Sequence, residues 1–351
     1  MVKIGNVAID SPFIVAPMAG MTDTAFRRLV KRQGGCGLVV TEMVSSEGLV
    51  RGIDRTLEYA EYTEEERPVA IQIFGGDPAK MAEAARIVES MGADIVDVNM
   101  GCPVPKIAKH SAGCSLMRAP EHAASVIAAM TKAVKIPVTV KMRAGWDERT
   151  INAPELAGRV ADVGAAALAI HGRTAAQSYT GASDWELIAR VADRVQVPVF
   201  GSGDCVEAEQ IVDRLSGCRV SGVLVGRGVL RNPWILAQAQ DLAEGRPART
   251  VTLALRGRFL LDYMTLLLNE RVNERPGFRH VAPNQRAAGG QQPAARGHDR
   301  WVMNKLRALM SWYSKGLENS GHLRTAINSA QSLDQAREII DEFFFAAIMI
   351  S

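Results

Sequence analysis

A thiol placed where an apolar strand runs out is the first group in this chain able to do chemistry. Cys102 sits in Val98-Asn99-Met100-Gly101-Cys102-Pro103, a Gly-Cys-Pro turn that projects its side chain from rigid backbone. An unperturbed thiol has a pKa near ~8.5, so at neutral pH it is mostly protonated and can give a proton as well as attack. A small buried hydrophobe is the other reading of any single cysteine. Lys141 closes a very apolar stretch, Ile136-Pro137-Val138-Thr139-Val140. Its ammonium could stabilise negative charge on a reduced flavin, serve as a Schiff-base amine, or simply reach solvent. His171, in Ala169-Ile170-His171-Gly172-Arg173-Thr174, has three options: cofactor contact, general acid or structural histidine. Two glycine-rich turns, Gly201-Ser202-Gly203-Asp204 and Gly226-Arg227-Gly228, let backbone N–H groups approach an anion. Arg227 adds a fork of donors suited to phosphate, while the plainer reading has Gly203 and Gly226 making tight turns only. No paired histidine or carboxylate spacing on one element points to a metal.

The elements that must carry these groups follow from periodicity. Eight short apolar runs are separated by stretches of helical pattern: Phe13–Ala16, Leu38–Val40, Val69–Ile73, Ile95–Val98, Val138–Val140, Ala167–Ile170, Val197–Phe200 and Val223–Val225. The helical stretches include Pro78–Met91, Pro120–Val134, Pro154–Val163, Trp185–Val195 and Ala208–Leu215, with Pro or Asp near their starts. Strand–helix alternation of this count is that of an α/β fold, a (β/α)8 TIM barrel. A doubly wound sheet is the alternative, but its dinucleotide fingerprint is missing from the first turn, Ala16-Pro17-Met18-Ala19-Gly20-Met21-Thr22-Asp23. In a barrel, chemistry collects at the C-terminal strand ends. Those ends here read Pro17-Met18-Ala19-Gly20, Thr41-Glu42, Gln72, Asn99-Gly101-Cys102, Lys141-Arg143, His171-Gly172-Arg173, Ser202-Gly203-Asp204 and Gly226-Arg227. A ring of polar groups on every strand is more than a packed core needs.

Beyond Pro233 the strand pattern stops. Val251–Val272, Trp301–Lys315 and Leu333–Phe345 read as helices of a small C-terminal helical domain, dividing the chain into a barrel over 1–244 and a helical part over 245–351. Between the first two lies Arg275–His298, rich in Pro, Gly, Gln, Ala and Arg, which reads as a flexible loop.

Composition sets the surroundings. The chain has 351 residues, 47% hydrophobic and 23% charged, which is ordinary for a globular protein able to bury a full core. No apolar run reaches the ~18 residues of a membrane span, and Met1–Asn6 lacks a signal-peptide core. Five cysteines without CxxC spacing argue against a disulfide framework, and a reducing cytoplasmic location fits best. The net charge of +3 hides an asymmetry. From Arg271 to Arg324 there are ten basic residues against Glu274, Asp299 and Glu318, a local +7 that leaves about −4 for the rest. A basic tail on a mildly acidic body suggests a polyanionic partner, although a solvated surface explains the charge equally well.

Taken together, Ala16-Pro17-Met18-Ala19-Gly20, Gln72-Ile73, Asn99-Met100-Gly101-Cys102-Pro103, Lys141-Met142-Arg143-Ala144-Gly145-Trp146, Ile170-His171-Gly172-Arg173-Thr174, Gly203-Asp204 and Val225-Gly226-Arg227 closely resemble the bacterial branch of the tRNA-dihydrouridine synthases. The tail matches less tightly, through Trp312-Tyr313-Ser314-Lys315-Gly316 and Leu323-Arg324. The resemblance implies an FMN-bound barrel whose helical domain helps to hold tRNA. By position it assigns FMN to Pro17, Met18, Ala19, Gln72, Lys141, Ser202, Gly203, Asp204, Gly226 and Arg227, with His171 beside them. It makes Cys102 the acid that protonates C5 of a uracil, while hydride from flavin N5 arrives at C6 and NADPH (or NADH) is the reductant. Asn99, Lys106, Lys109, Arg143 and Arg173 are the candidate substrate contacts, with plain surface lysines the alternative for the two lysines. No membrane or obligate protein partner is expected. Ser202 stands where the family more often has Asn, Arg307-Ala308-Leu309-Met310-Ser311 replaces a more basic run, and the Arg275–His298 stretch has no clear counterpart. These departures bear on the target uridine rather than on the reaction. Another FMN barrel acting on free pyrimidines or dihydroorotate, and a flavin-containing RNA-binding regulatory protein, are the competing readings.

Overall fold

The computed structural model describes residues 1–108, 111–269 and 295–345. Its centre is a closed parallel barrel. After a short hairpin, β1 (Val2–Ile4) and β2 (Val7–Ile9), come β3 (Phe13–Val15), β4 (Leu38–Val40), a two-residue β5 (Val44–Ser45), β6 (Val69–Phe74), β7 (Ile95–Met100), β8 (Val138–Arg143), β9 (Ala167–His171), β10 (Val199–Ser202) and β11 (Gly222–Val225). The order β4-β3-β11-β10-β9-β8-β7-β6 closes on itself through β4–β6, and β5 extends the edge of β6. The eight barrel strands are the eight apolar runs of the sequence, with ends shifted by a few residues.

Strand alternation sorts the core into two parts. Outward residues such as Val96, Val98, Met100, Val138, Val140 and Ile170 join the layer packed against the helices. Inward residues Ile14, Leu38, Ala70, Ile95, Phe200 and Leu224 fill the barrel axis together with Ile4 and Ile9 of the hairpin. That hairpin, not anticipated from periodicity, plugs the N-terminal end. Gly5 in its turn has φ +59°, and an added Cβ would lie 2.9 Å from Pro137 just ahead of β8. Helix starts follow their caps: Asp23 accepts from the Phe26 N–H, Asp77 from Lys80 with Pro78 in the first turn, and Asp184 from Leu187.

Past the barrel, helices Ile235–Ala243, Leu253–Asn269, Ala295–Tyr313, Ser320–Ser329 and Leu333–Phe345 follow. The expectation of a loop through His298 needs correction at its end, since residues from Ala295 onward are helical. Ala and Arg are good helix formers, and the apolar spacing of Val302, Leu306 and Leu309 extends the helix back to them. Residues 275–294 of that stretch lie outside the described ones. One apolar cluster runs from the barrel into these helices. Phe259 is its join: buried, it stacks on Tyr313 (centroids 5.6 Å apart) and meets Trp234 at 5.4 Å and Phe26 at 6.1 Å. Replacing Phe259 by Ala should cost about 3–5 kcal/mol in denaturant unfolding. A loss below about 1 kcal/mol would show that the helices do not depend on this aromatic join.

Candidate active site

The expected cofactor residues fall on neighbouring strands. Lys141 on β8, His171 on β9, Ser202 on β10, Gly226 after β11 and Pro17 after β3 lie along one continuous arc of the barrel mouth. On the other side of β8, β7 carries Asn99 and then Cys102, and β6 carries Gln72. Register places Asn99 opposite Lys141, and Asp97 between Gln72 and Thr139.

Cys102 is half-buried on the turn that leaves β7. The Asn99 amide oxygen accepts the Gly101 N–H at 3.1 Å and the Cys102 N–H at 2.9 Å, fixing the turn. Burial pushes the thiol above its ordinary value, against the Val104 N–H and the charges of Arg143 and Lys141. The group is therefore a protonated thiol through neutral pH, suited to giving a proton rather than to nucleophilic attack. Cys36, Cys114 and Cys205 are buried and serve packing.

Beneath the mouth lies a buried polar ladder. Asp97 accepts from the Thr139 hydroxyl at 2.6 Å and from the Gln72 amide nitrogen at 2.6 Å; the Gln72 amide oxygen accepts from Asn99 at 2.8 Å. Burial raises the Asp97 carboxyl, opposed by its two donors and the nearby Lys141 ammonium. Lys141 is pushed down to about 8, by burial first and by Arg143 next, with Asp97 opposing. Its ammonium has no hydrogen-bond or ion-pair partner among the described residues, although its surroundings are desolvated. A cation so placed is matched to an electron-rich or anionic group arriving from outside. A small cavity of about 30 Å³ opens there, lined by Pro17, Asp97, Thr139 and Lys141 above the apolar residues of the barrel axis.

His171 is surrounded by charge. Burial and then Lys141, Arg143, Arg173 and Arg227 push its imidazole down to about 2. It is neutral at working pH, which removes the general-acid option. Arg173 Nη1 approaches its Nε2 at 3.4 Å, and because a guanidinium only donates, the ring proton is on Nδ1.

Arg143 and Arg173, expected at the substrate, are 4% and 2% exposed. Arg143 donates to the carbonyls of Gly101, Thr174 and Ser178 and so ties the cysteine turn to the loop after β9. Arg173 donates to the carbonyls of Thr180 and Gly181 and forks onto Asp204 at 2.7 and 2.8 Å. The Asp204 carboxylate also accepts from the Ser183 N–H, so that residue faces any phosphate with its backbone. Gly203 and Asp204 both have positive φ, +129° and +55°, which bends the loop outward, and Arg227 stands beside it, 3.5 Å from Asp204. Ser202 is buried, Pro17 and Met18 are partly exposed, and Ala19 is exposed. These residues fit a flavin, with a phosphate at the Gly203 and Gly226 loops and a ring over Lys141. Asn99 is committed to the cysteine turn and Gln72. Lys109 and the side chain of Lys106 lie outside what the structure describes.

Sequence reasoning passed over several groups. Asp97 is an inward polar residue in an otherwise apolar strand, which was the available signal. Tyr179, 59% exposed, lies under both Arg143 and Arg227. From the C-terminal helices, Lys305 reaches the mouth: its ammonium is 3.1 Å from Asp23, 3.7 Å from Glu42 and 3.3 Å from the Gly20 carbonyl. Glu42 accepts the Gly20 N–H, and Asp23 accepts from the Tyr263 hydroxyl. Arg307 donates to the carbonyls of Ala330 and Ile327, closing the end of a helix. Of the tail's basic residues, Lys305 and Arg307 thus face inward, and Arg324 donates to the buried Ser314 hydroxyl at 3.0 Å. Among the described residues no group of three or more His, Cys, Asp or Glu side chains could hold a metal, and no helix is long and apolar enough to cross a membrane.

Comparison with known proteins adds the following. A sequence profile described as "Dihydrouridine synthase (Dus)" matches residues 14–305. A "Probable tRNA-dihydrouridine synthase" of Rickettsia bellii is 37% identical over 99% of both chains. One of the same name from Rhodobacter capsulatus is 46% identical over 68% of this chain and 73% of its own. A "tRNA-dihydrouridine synthase B" of Xanthomonas axonopodis pv. citri is 34% identical over 99% of this chain and 96% of its own. Among solved structures, a morphinone reductase N189A mutant in complex with tetrahydroNAD shares the fold, with TM-score 0.52 and 14% identity over 68% of this chain and 89% of that one.

Lys141 should reveal itself by titration. The ammonium is charged below a pKa of about 8 and neutral above it. Flavin affinity, followed by fluorescence quenching, should fall as pH rises through about 8 and should be weaker and flat with pH in Lys141→Met. An unchanged profile in that variant would remove Lys141 from the cofactor site.

Proposed function

We propose, from the premise that the chain belongs to the dihydrouridine synthase family, that it reduces the 5,6 double bond of uridines in tRNA to dihydrouridine, with FMN held at the barrel mouth and NADPH as reductant. Bound flavin supplies the hydride for C6 of the uracil, leaving enolate-like charge toward C5. The protein's part is to place the ring, exclude water and hold a proton. Cys102 holds that proton at Sγ, and the observation that carries the reading is its raised pKa on a turn pinned by Asn99 beside the unpartnered Lys141 ammonium. Arg143 and Lys141 lower the cost of the thiolate left behind. Lys141 and the Gly203 and Gly226 loops would hold the flavin, with neutral His171 beside them. The uracil has to leave its stack to reach this depth. Outward basic residues of the C-terminal part, Arg300 and Lys315 among them, would hold RNA phosphates near the mouth. A cytoplasmic enzyme working on folded tRNA is the reading that uses both the polar barrel mouth and the outward basic residues of the C-terminal part.

The test uses tRNA from cells that make no dihydrouridine, incubated with protein, FMN and NADPH and mapped by mass spectrometry of nuclease fragments. A fragment heavier by two hydrogens is expected and names the nucleotide. Turnover of a free pyrimidine in place of tRNA would instead favour a small-molecule dehydrogenase. In Cys102→Ala the protein should stay yellow and reducible by NADPH while product formation falls by about 100-fold or more, as expected for removing a positioned acid. Full activity in that variant would end Cys102's role as the acid.

A further inference from the structure

The ladder under Cys102 has a direction, and Asp97 sets it. Asp97 accepts on both oxygens, from the Thr139 hydroxyl on one and from Gln72 on the other, so Gln72 turns its amide nitrogen toward it at 2.6 Å. The Gln72 oxygen is then left facing Asn99, which must answer with its own nitrogen, at 2.8 Å. Asn99 in turn is left with its oxygen on the far side, where it accepts from Gly101 and Cys102. Each amide is buried and has two orientations available in principle, and reversing either would set donor against donor. The Thr139 hydroxyl on the other Asp97 oxygen holds the carboxylate in plane between β6 and β8. An apolar side chain at 97 would suit the barrel axis as well and would leave both amides free to turn.

We infer that Asp97 is a positioning residue for Cys102, fixing the cysteine turn through the amide orientations of Gln72 and Asn99. This rests on the reading of Cys102 as proton donor only for its effect on catalysis, since the orientation itself is a property of the turn. In Asp97→Asn the amide at 97 can meet Gln72 with either atom, and the ladder loses its direction. Pairing it with Gln72→Glu restores direction. The carboxylate introduced at 72 accepts from the new amide at 97 on one side and from Asn99 on the other, and Asn99 again presents oxygen to the turn. In Gln72→Glu alone, two carboxylates face each other.

The experiment compares wild type, Asp97→Asn, Gln72→Glu and the double variant, each loaded with FMN and checked for flavin content and melting temperature. The first readout is alkylation of Cys102 by iodoacetamide, followed by intact mass, which needs no substrate. It should change severalfold in each single variant and return toward wild type in the double. The second is stopped-flow flavin reoxidation by unmodified tRNA, read against the NADPH reduction rate of the same variant and expected to slow by about 10- to 100-fold relative to it in Asp97→Asn. The double variant should reoxidise faster than either single one. Wild-type alkylation and reoxidation in Asp97→Asn, or a double variant no better than the worse single, would overturn the inference. If Asp97→Asn does not fold, Gln72→Glu against the double variant makes the same comparison. A wild type that tRNA cannot reoxidise would refute the functional reading, and the alkylation series would still decide the ladder.

Discussion

Burial of polar side chains on the inner face of β6, β7 and β8 is the constraint on which this site depends. A carboxylate, two amides, a hydroxyl and an ammonium share a dry volume where an unpaired group would be strongly disfavoured. The carboxylate, hydroxyl and amides satisfy one another, which leaves little freedom at the backbone of Cys102. The ammonium of Lys141 is the exception, lacking a partner among the described residues where the others have one. Burial and then Arg143 depress its pKa, and on the proposed function this cation would face the flavin.

A second layer surrounds this one. Arg143 and Arg173 are long, charged and nearly inaccessible, and both bind backbone carbonyls of the loop after β9. Arg143 reaches Gly101 on one side, and Arg173 reaches Asp204 on the other, so that one loop is strapped to the cysteine turn and to the glycine-rich loop after β10. The groups that meet solvent at the mouth, Tyr179 and Arg227, rest on this strapping.

The barrel was legible because eight short apolar runs, each ending in polar residues and parted by helical stretches, close most readily into one parallel ring. The arc of Lys141, His171, Ser202 and Gly226 could be read from strand order alone. The resemblance added the roles. What remained hidden was the direction of each side chain. Arginine at a strand end looks the same in sequence whether it faces a substrate or its own loops, and only packing separates the two. Lys305 was hidden for a different reason: its partners Asp23 and Glu42 lie more than 260 residues away in the chain. Counting charge along the tail treated it as solvent-facing. Helix Ser320–Ser329 carried no cap bond from its own Asn319 and was missed.

Lys305 also limits what the helices can do. Swinging them away from the barrel would strip a cation from two carboxylates, break the Tyr263–Asp23 bond and open the aromatic contact around Phe259. The two parts therefore behave as one rigid gauge, with the thiol at one mark and the basic helical surface at another. An RNA laid across that gauge has to bring the correct nucleotide to the thiol by its own shape. On the proposed function, the distance from the thiol to the outer face of the helices would then be a fixed span that the folded RNA has to match.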